Sequence, residues 1–420
     1  MKGQGIKNFF DKYRKTFEKG GKLYPLHSFY EGMESFLYVS DATTKKGSHV
    51  RDYIDLKRTM IIVVIALIPA MLFGMYNIGY QHFNALGELA ATGFWSIFWY
   101  GFLKVLPLII VSYVVGLGIE FAFAQIKGHE INEGYLVTGL LIPLILPVNT
   151  PLWMVAVAVA FSVILAKEAF GGTGMNIWNP ALVARAFLFF AYPSYMSGDS
   201  VWVSLGKNAN KMIDGFTGAT PLGNIAQTVS LNTNMQAALA QGDNGLADQL
   251  HQQINAVIAK MPSIHDSFFG FIPGSIGETS LLAILLGAIL LIVTGIGSWK
   301  IMLSTTLGAL LTGLFLNIFA VNPYMEVPFW HHLLYGGFAF GAVFMATDPV
   351  SAAQTSTGKW IYGFLIGVVA IIIRVLNPAY PEGMMLAILL MNTFAPLIDY
   401  YVVQGNIRRR LKRMTVNYNH

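Results

Sequence analysis

The chain has 420 residues, 55% of them hydrophobic and 12% charged, with a formal net charge of +5 and no cysteine. So few charges exclude an ordinary soluble domain, which carries about 25%. The missing cysteine excludes disulfides, thiolate-bound zinc and an iron–sulfur cluster of the chain's own.

Residues 1–59 are polar and basic and lack the short apolar core of a secretory signal. The aromatic pairs Phe9-Phe10 and Phe29-Tyr30 predict interfacial helices there. Apolar runs of spanning length follow at 60–79, 96–122, 135–149, 152–170 and 179–193. The polar stretch 194–279 comes next, with room for one or two amphipathic surface helices in QTVSLNTNMQAALAQGDNGLADQLHQQINAVIAKM. Five more runs lie at 281–298, 301–321, 330–348, 360–376 and 383–402, before a basic tail at 403–420.

Lys and Arg set the orientation. Residues 1–59 hold twelve of the 27, and the tail holds five more, Arg408, Arg409, Arg410, Lys412 and Arg413. The 194–279 stretch has only Lys207, Lys211 and Lys260. Both termini are expected in the cytoplasm and 194–279 outside. Basic residues flanking membrane spans read as topology, not as a nucleic-acid surface.

The two halves look alike. WMVAVAVAFSVILAKEAFGGTGMNIWNPA and WIYGFLIGVVAIIIRVLNPAYPEGMMLA share an aromatic start, an apolar run, a cation (Lys167, Arg374) and a Gly/Pro/Asn break with a Gly-Met pair. Five spans is an odd unit, so a second copy is inverted. The sequence therefore predicts an all-α polytopic membrane protein of about ten transmembrane helices, as two inverted five-helix repeats at 60–193 and 280–402.

Several residues stand out against that apolar background. Asn179 before Pro180 has the pattern of a helix N-cap, and Asn176 lies in the same break. Gly171, Gly172 and Gly174 permit either a close approach to a ligand or tight helix packing. Glu120, Asp348 and Asp399 fall toward the cytoplasmic ends of their spans, as interfacial residues or as oxygen ligands for a cation. Arg185 interrupts an apolar span, which calls for a buried salt bridge or an anionic ligand. HEINEG, with His129, Glu130 and Glu133, lacks the second histidine of H-E-x-x-H. By spacing alone, DGFTGATPL is an ordinary turn.

SHVRDYIDLKRTM, KGHEINEGYLVTG, LAKEAFGGTGMNIWNPALVARAFLFFAYP, FIPGSIGETS, GGFAFGAVFMATDPVSA and RVLNPAYPEGMMLAILL together resemble the NqrB family, membrane subunits of sodium-translocating NADH:quinone oxidoreductases. The resemblance runs from about residue 20 to 413. It implies FMN esterified through its phosphate to Thr220, within a flavinylation motif of Asp214, Thr217, Gly218 and Ala219, attached by a dedicated flavin transferase. It implies riboflavin held around Gly172, Thr173, Asn176, Asn179 and Arg185. It implies ubiquinone as acceptor near Gly116, Leu117 and Gly118, where the family often has paired glycines and this chain reads VVGLGIE. Sodium coupling at Glu120, Asp348 and Asp399 completes the set, with no other metal. The implied setting is a six-subunit complex in a bacterial inner membrane, with an FMN-bearing periplasmic-side subunit and a NADH-oxidising FAD/2Fe-2S subunit. Electrons would run from the outer FMN through riboflavin to quinone. Two rivals remain: the homologous RnfD-type membrane subunit of the ferredoxin:NAD oxidoreductase, and a flavin-free small-solute transporter or channel.

Overall fold

The computed structural model describes residues 56–127, 134–206, 218–377 and 382–417, with positions 12, 13, 16, 17, 30, 44, 47, 48, 213, 216 and 380. The interfacial helices expected before residue 56, the loop residues His129, Glu130 and Glu133, and the motif residues Asp214 and Thr217 lie outside the described residues.

The protein is an all-α polytopic membrane protein, with no strand among the described residues. In chain order the main helices are α1 (Leu56–Ala85), α2 (Phe94–Lys127), α3 (Tyr135–Leu144), α4 (Leu152–Ser162), α5 (Pro180–Ala191), α6 (Pro221–Ala240) and α7 (Asn244–Ala259). They continue with α8 (Leu281–Val293), α9 (Trp299–Ile318), α10 (Ser356–Leu376) and α11 (Met384–Asn417). Helix α4 runs on through a π-turn at Val163–Lys167 and a 3₁₀ turn at Glu168–Phe170. The basic tail is no separate segment: α11 carries it, Arg408 to Arg413 included.

Among the described residues, six helical stretches are long and apolar enough to cross a bilayer alone: α1, α2, α4 with its extension, α9, α10 and α11. The count of about ten needs qualification here. Three of the other expected spans are short apolar helices, α3, α5 and α8, of 10, 12 and 13 residues. The fourth, at 330–348, is broken at Tyr335–Gly337, between the single turn His331–Leu334 and the short stretch 338–345, whose last five residues form a π-turn. Ten residues of helix span ~15 Å, about half of a ~30 Å hydrocarbon core. The apolar runs were long because the connecting turns are apolar too. Ile145, Leu146 and Val148 follow α3 as buried non-helical residues.

Irregular backbone at membrane depth has to find partners inside the protein. The segment after Gly270 supplies them. Gly277 N donates to Leu144 O (2.7 Å) and Ile276 N to Leu146 O (3.4 Å), joining a loop of the second half to the end of α3. Ile272, Ser275, Ile276, Thr279 and Ser280 are buried accordingly. The end of the expected outer loop is therefore core; 221–269 forms the helical hairpin α6–α7 and the short helix Ile264–Phe269, anchored to the bundle by Leu222 and Ile225 at the start of α6 and by contacts of the short helix with α8.

Much of the packing repeats between halves, although α1 packs on α2 while α8 has no comparable contact with α9. Helix α2 contacts α3 and α4, α4 contacts α5, α3 contacts α5, and α1 contacts α3. In the second half α9 contacts 338–345 and α10, α10 contacts α11, 338–345 contacts α11, and α8 contacts 338–345. Across the middle, α1 meets α8 and α5 meets α11, equivalent with equivalent, as a two-fold relation requires.

A Cβ at Gly277 would lie 2.9 Å from Leu144 Cβ and 3.2 Å from the Phe340 ring. Gly277→Val should destabilise the bundle by roughly 1–3 kcal/mol through overpacking. Gly405→Ala, with nothing within 4 Å of its new methyl, should not. Thermal unfolding of purified protein in detergent checks the pair, and equal melting of both variants would refute this packing.

Candidate functional site

The break after α4 is built by local chemistry. Gly171, Gly172 and Gly174 adopt φ of +121°, +95° and +90°, which a side chain would resist. The chain then re-enters a helix at Asn179, whose Oδ1 accepts from Ala181 N (3.0 Å) with Pro180 in the first turn. Asn176 Nδ2 donates to Trp178 O (3.1 Å), and Trp178 Nε1 donates to Thr393 Oγ1 (2.9 Å), fixing the break to α11. Asn176 Oδ1 and Asn179 Nδ2 keep no partner among the described residues.

This break opens onto a cleft between the halves. From the first half come Thr138, Lys167, Thr173, Asn176 and Asn179. From the second come Phe344, Thr347 and Asp348. Its mostly apolar walls with a few convergent polar groups suit a flat heteroaromatic ligand. Asp348 accepts from Ser351 Oγ (2.7 Å) and Val350 N (3.2 Å) and has no cationic partner among the described residues.

Of the candidates read from sequence, the cleft therefore collects Thr173, Asn176, Asn179 and Asp348. Gly172 lies just behind, where a Cβ would come 3.6 Å from Glu168 Oε1. Glu120 is buried and paired with Lys167, a cleft residue that the sequence marked only as a repeat position. Asp399 stands apart, accepting from Gln354 N (2.6 Å), Thr355 N (3.0 Å) and Thr355 Oγ1 (2.5 Å) at the start of α10. On α2, Gly116 is filled by the Tyr135 ring, which donates through its hydroxyl to Ser112 O (2.9 Å). Leu117 is half-buried, and Gly118 is exposed with open space around its Cα.

Arg185 belongs to a second centre. Its guanidinium donates to Glu278 Oε1 (2.8 Å) and Ser275 Oγ (3.4 Å) and pairs with Glu382. Fully buried Arg374 donates to His332 O (2.6 Å) and Glu382 O (3.2 Å). Both carboxylates come from loops, Glu278 lying 93 and Glu382 197 residues from Arg185. No local signal announced them; an arginine in an apolar run asks for a carboxylate without naming it. Gly336 separates this centre from Leu222 at the start of α6: a Cβ there would lie 2.6 Å from Leu222 Cδ1 and 3.4 Å from Arg374 Nη2.

Thr220 is half-buried and N-caps α6, accepting from Gly223 N (3.1 Å), with Pro221 in the first turn. Gly218 and Ala219 are buried, and Gly218 packs on Asp199 O and Val203.

The profile of the NQR2, RnfD, RnfE family matches residues 43–408. Among relatives, NqrB of Ectopseudomonas mendocina, named for the Na(+)-translocating NADH-quinone reductase, is 46% identical, over 97% of this chain and 99% of its own. The protein of the same name from Chromohalobacter salexigens is also 46% identical, over 97% of each chain. That of Azotobacter vinelandii is 45% identical, over 97% and 99%. The chain belongs to this family.

Removing Arg185 alone would strand the buried Glu278 and the half-buried Glu382, which costs about 3–5 kcal/mol. Arg185→Leu should therefore lose most of its folded yield. Arg185→Leu combined with Glu278→Leu and Glu382→Gln should recover much of it. Size-exclusion profiles of the detergent-extracted variants read the outcome, and a well-folded Arg185→Leu single variant would contradict the pairing.

Proposed function

We propose that this member of the NQR2, RnfD, RnfE family is the flavin-carrying membrane subunit of a sodium-pumping NADH:quinone reductase. In this reading it holds covalent FMN at Thr220 and riboflavin in the cleft, and passes electrons to ubiquinone with sodium export. The observation that carries it is the cleft itself. It gathers Thr173, Asn176 and Asn179 with Asp348, which lies 169 or more positions further along the chain, so no single helix could have aligned them. The printed names of the relatives supply the reaction class.

The residues fit the groups assigned to them. The free amide atoms of Asn176 and Asn179 offer one acceptor and one donor to a ring whose edge carries both. Asp348 brings carboxylate oxygens, which suit a hard cation, to the same space. Thr220 sits at the N-terminus of a 20-residue helix, where unpaired backbone N–H groups and the helix dipole favour a phosphate ester. Bound flavins and quinone would supply one- and two-electron chemistry. The chain's own task is to hold them apart, keep water from the cleft and offer a cation site next to the charge. Exposed Gly118 beside Leu117 gives a lipid-soluble quinone a flat approach on α2. The basic N-terminal segment and tail support a cytoplasmic location for both ends in a bacterial inner membrane. The remaining subunits, with their own FMN, FAD and 2Fe-2S groups, and the flavin transferase are the partners this reading requires.

Ultraviolet fluorescence of the denatured, gel-resolved chain tests the covalent flavin. Wild type made with the transferase should fluoresce, and Thr220→Ala and Thr220→Leu should be dark while still releasing riboflavin on extraction. A dark wild-type band would refute the assignment and favour a flavin-free transporter.

Asp348→Asn should raise the sodium concentration for half-maximal quinone reduction by roughly tenfold, the ~1.4 kcal/mol of one weakened ligand. Turnover in the purified complex indifferent to sodium would remove sodium as the coupling ion.

A further inference from the structure

The wall of the cleft contains an ion pair that the proposed function leaves idle and that stands in the way of one of its sites. Glu120 is a candidate sodium ligand, yet its carboxylate is occupied by the ammonium of Lys167, and both side chains are buried. Lys167 ends the π-turn Val163–Lys167 and lines the cleft on its other side. Its Nζ also lies 5.8 Å from the centre of the Tyr135 ring. The neighbouring carboxylate, Glu168, is held by Lys127 (3.1 Å). Among the described residues, Lys167 therefore has one carboxylate partner and Glu120 one cation.

Cleft, ammonium and carboxylate thus stand in series. We infer that Lys167 is an exchangeable counter-ion: negative charge placed in the cleft draws its ammonium off Glu120, and a sodium ion takes the vacated carboxylate. This rests on the flavin reading above and names the residue through which the cleft's charge reaches a cation site.

The physical case is that neither partner can be left alone. Breaking a buried pair costs about 3–5 kcal/mol, because a bare charge stays in a poorly solvated place. Lys167 stays on Glu120 while the cleft ligand is neutral, and the carboxylate is closed to other cations. One electron, supplied by NADH oxidation elsewhere in the complex, adds one negative charge to the cleft ligand. The ammonium turns to that charge, one sodium ion balances Glu120, and the net charge of the whole site is unchanged. The two exchanges are linked, so each makes the other easier by the same factor. Lysine suits this work, being a compact charge on a flexible stem. A π-turn, often found at functional positions, carries it. Tyr135 lies alongside with its hydroxyl committed to Ser112 O (2.9 Å), leaving only its ring face for the ammonium.

The test is the midpoint potential of the noncovalent flavin in the purified complex, titrated at several sodium concentrations, in a Thr220→Leu background to remove the covalent flavin. In otherwise wild-type protein the potential should rise with sodium, approaching ~59 mV per tenfold for one ion per electron. Lys167→Gln should lower the potential at low sodium and flatten the slope, because Glu120 then binds cation in either redox state. Glu120→Gln should raise it at low sodium, because the ammonium is then always free, and should flatten the slope as well. Lys167→Arg should keep a positive slope. If Lys167→Gln does not assemble, the Lys167→Gln/Glu120→Gln protein, which strands no charge, should show the lowered, sodium-independent potential. Opposite shifts in the two single variants separate this role from mere support of the fold. Flavin present with unchanged potential and slope in Lys167→Gln, or in the double variant, would overturn this inference alone. No extractable flavin in wild type would overturn it together with the reading on which it rests.

Discussion

Backbone that leaves the helical path inside a bilayer must hydrogen-bond within the protein, and most of this structure follows from how that is met. Helix α3 stops after ten residues, at mid-depth by length. Its last carbonyl and that of Leu146 just beyond it accept from Gly277 and Ile276, in the segment leading into the second half. The matching segment at 338–345 stops sooner still, and its π-turn is closed by Ala346 N to Gly341 O (2.7 Å). Because these elements end inside, the space beyond them is not filled by helix. On one side that space is the cleft. On the other it is occupied by the ionic centre around Arg185.

Buried cations mark both breaks, and they differ in kind. Arg374, at the repeat position of Lys167, uses its fork on two backbone carbonyls. A guanidinium is charged under all ordinary conditions and has donors enough to serve as a fixed strut. Lys167 presents one compact charge to one carboxylate. The same place in two copies of one fold thus holds a permanent fastening in one half and a replaceable contact in the other. The frame is shared, and the choice between arginine and lysine separates its two uses.

The sequence made the long helices plain, since α1, α2, α9 and α10 are continuous apolar runs. Asn179 was legible as a cap because Asn-Pro is a local signal with a local cause. The short helices were not, because hydropathy does not distinguish an apolar helix from an apolar turn packed in protein, as at Ile145 to Val148. Nor were the partners of Glu120 and Arg185. A buried charge announces that a partner exists, but the pairing is made by tertiary packing over tens to hundreds of residues. Asp399 shows the reverse case: an apparent membrane carboxylate whose oxygens bind the first backbone N–H groups around Thr355.

The bond from Gly277 to Leu144 has a meaning in time as well as in space. A chain leaving the ribosome presents Leu144 long before Gly277 exists, by roughly 130 residues, or some ten seconds of synthesis. Through that interval the carbonyls of Leu144 and Leu146 lack the partners that the finished protein gives them. The first half therefore enters the bilayer as an unfinished object, and the second half completes it before it can be complete itself. Two copies that look like separate units behave, in assembly, as a single one.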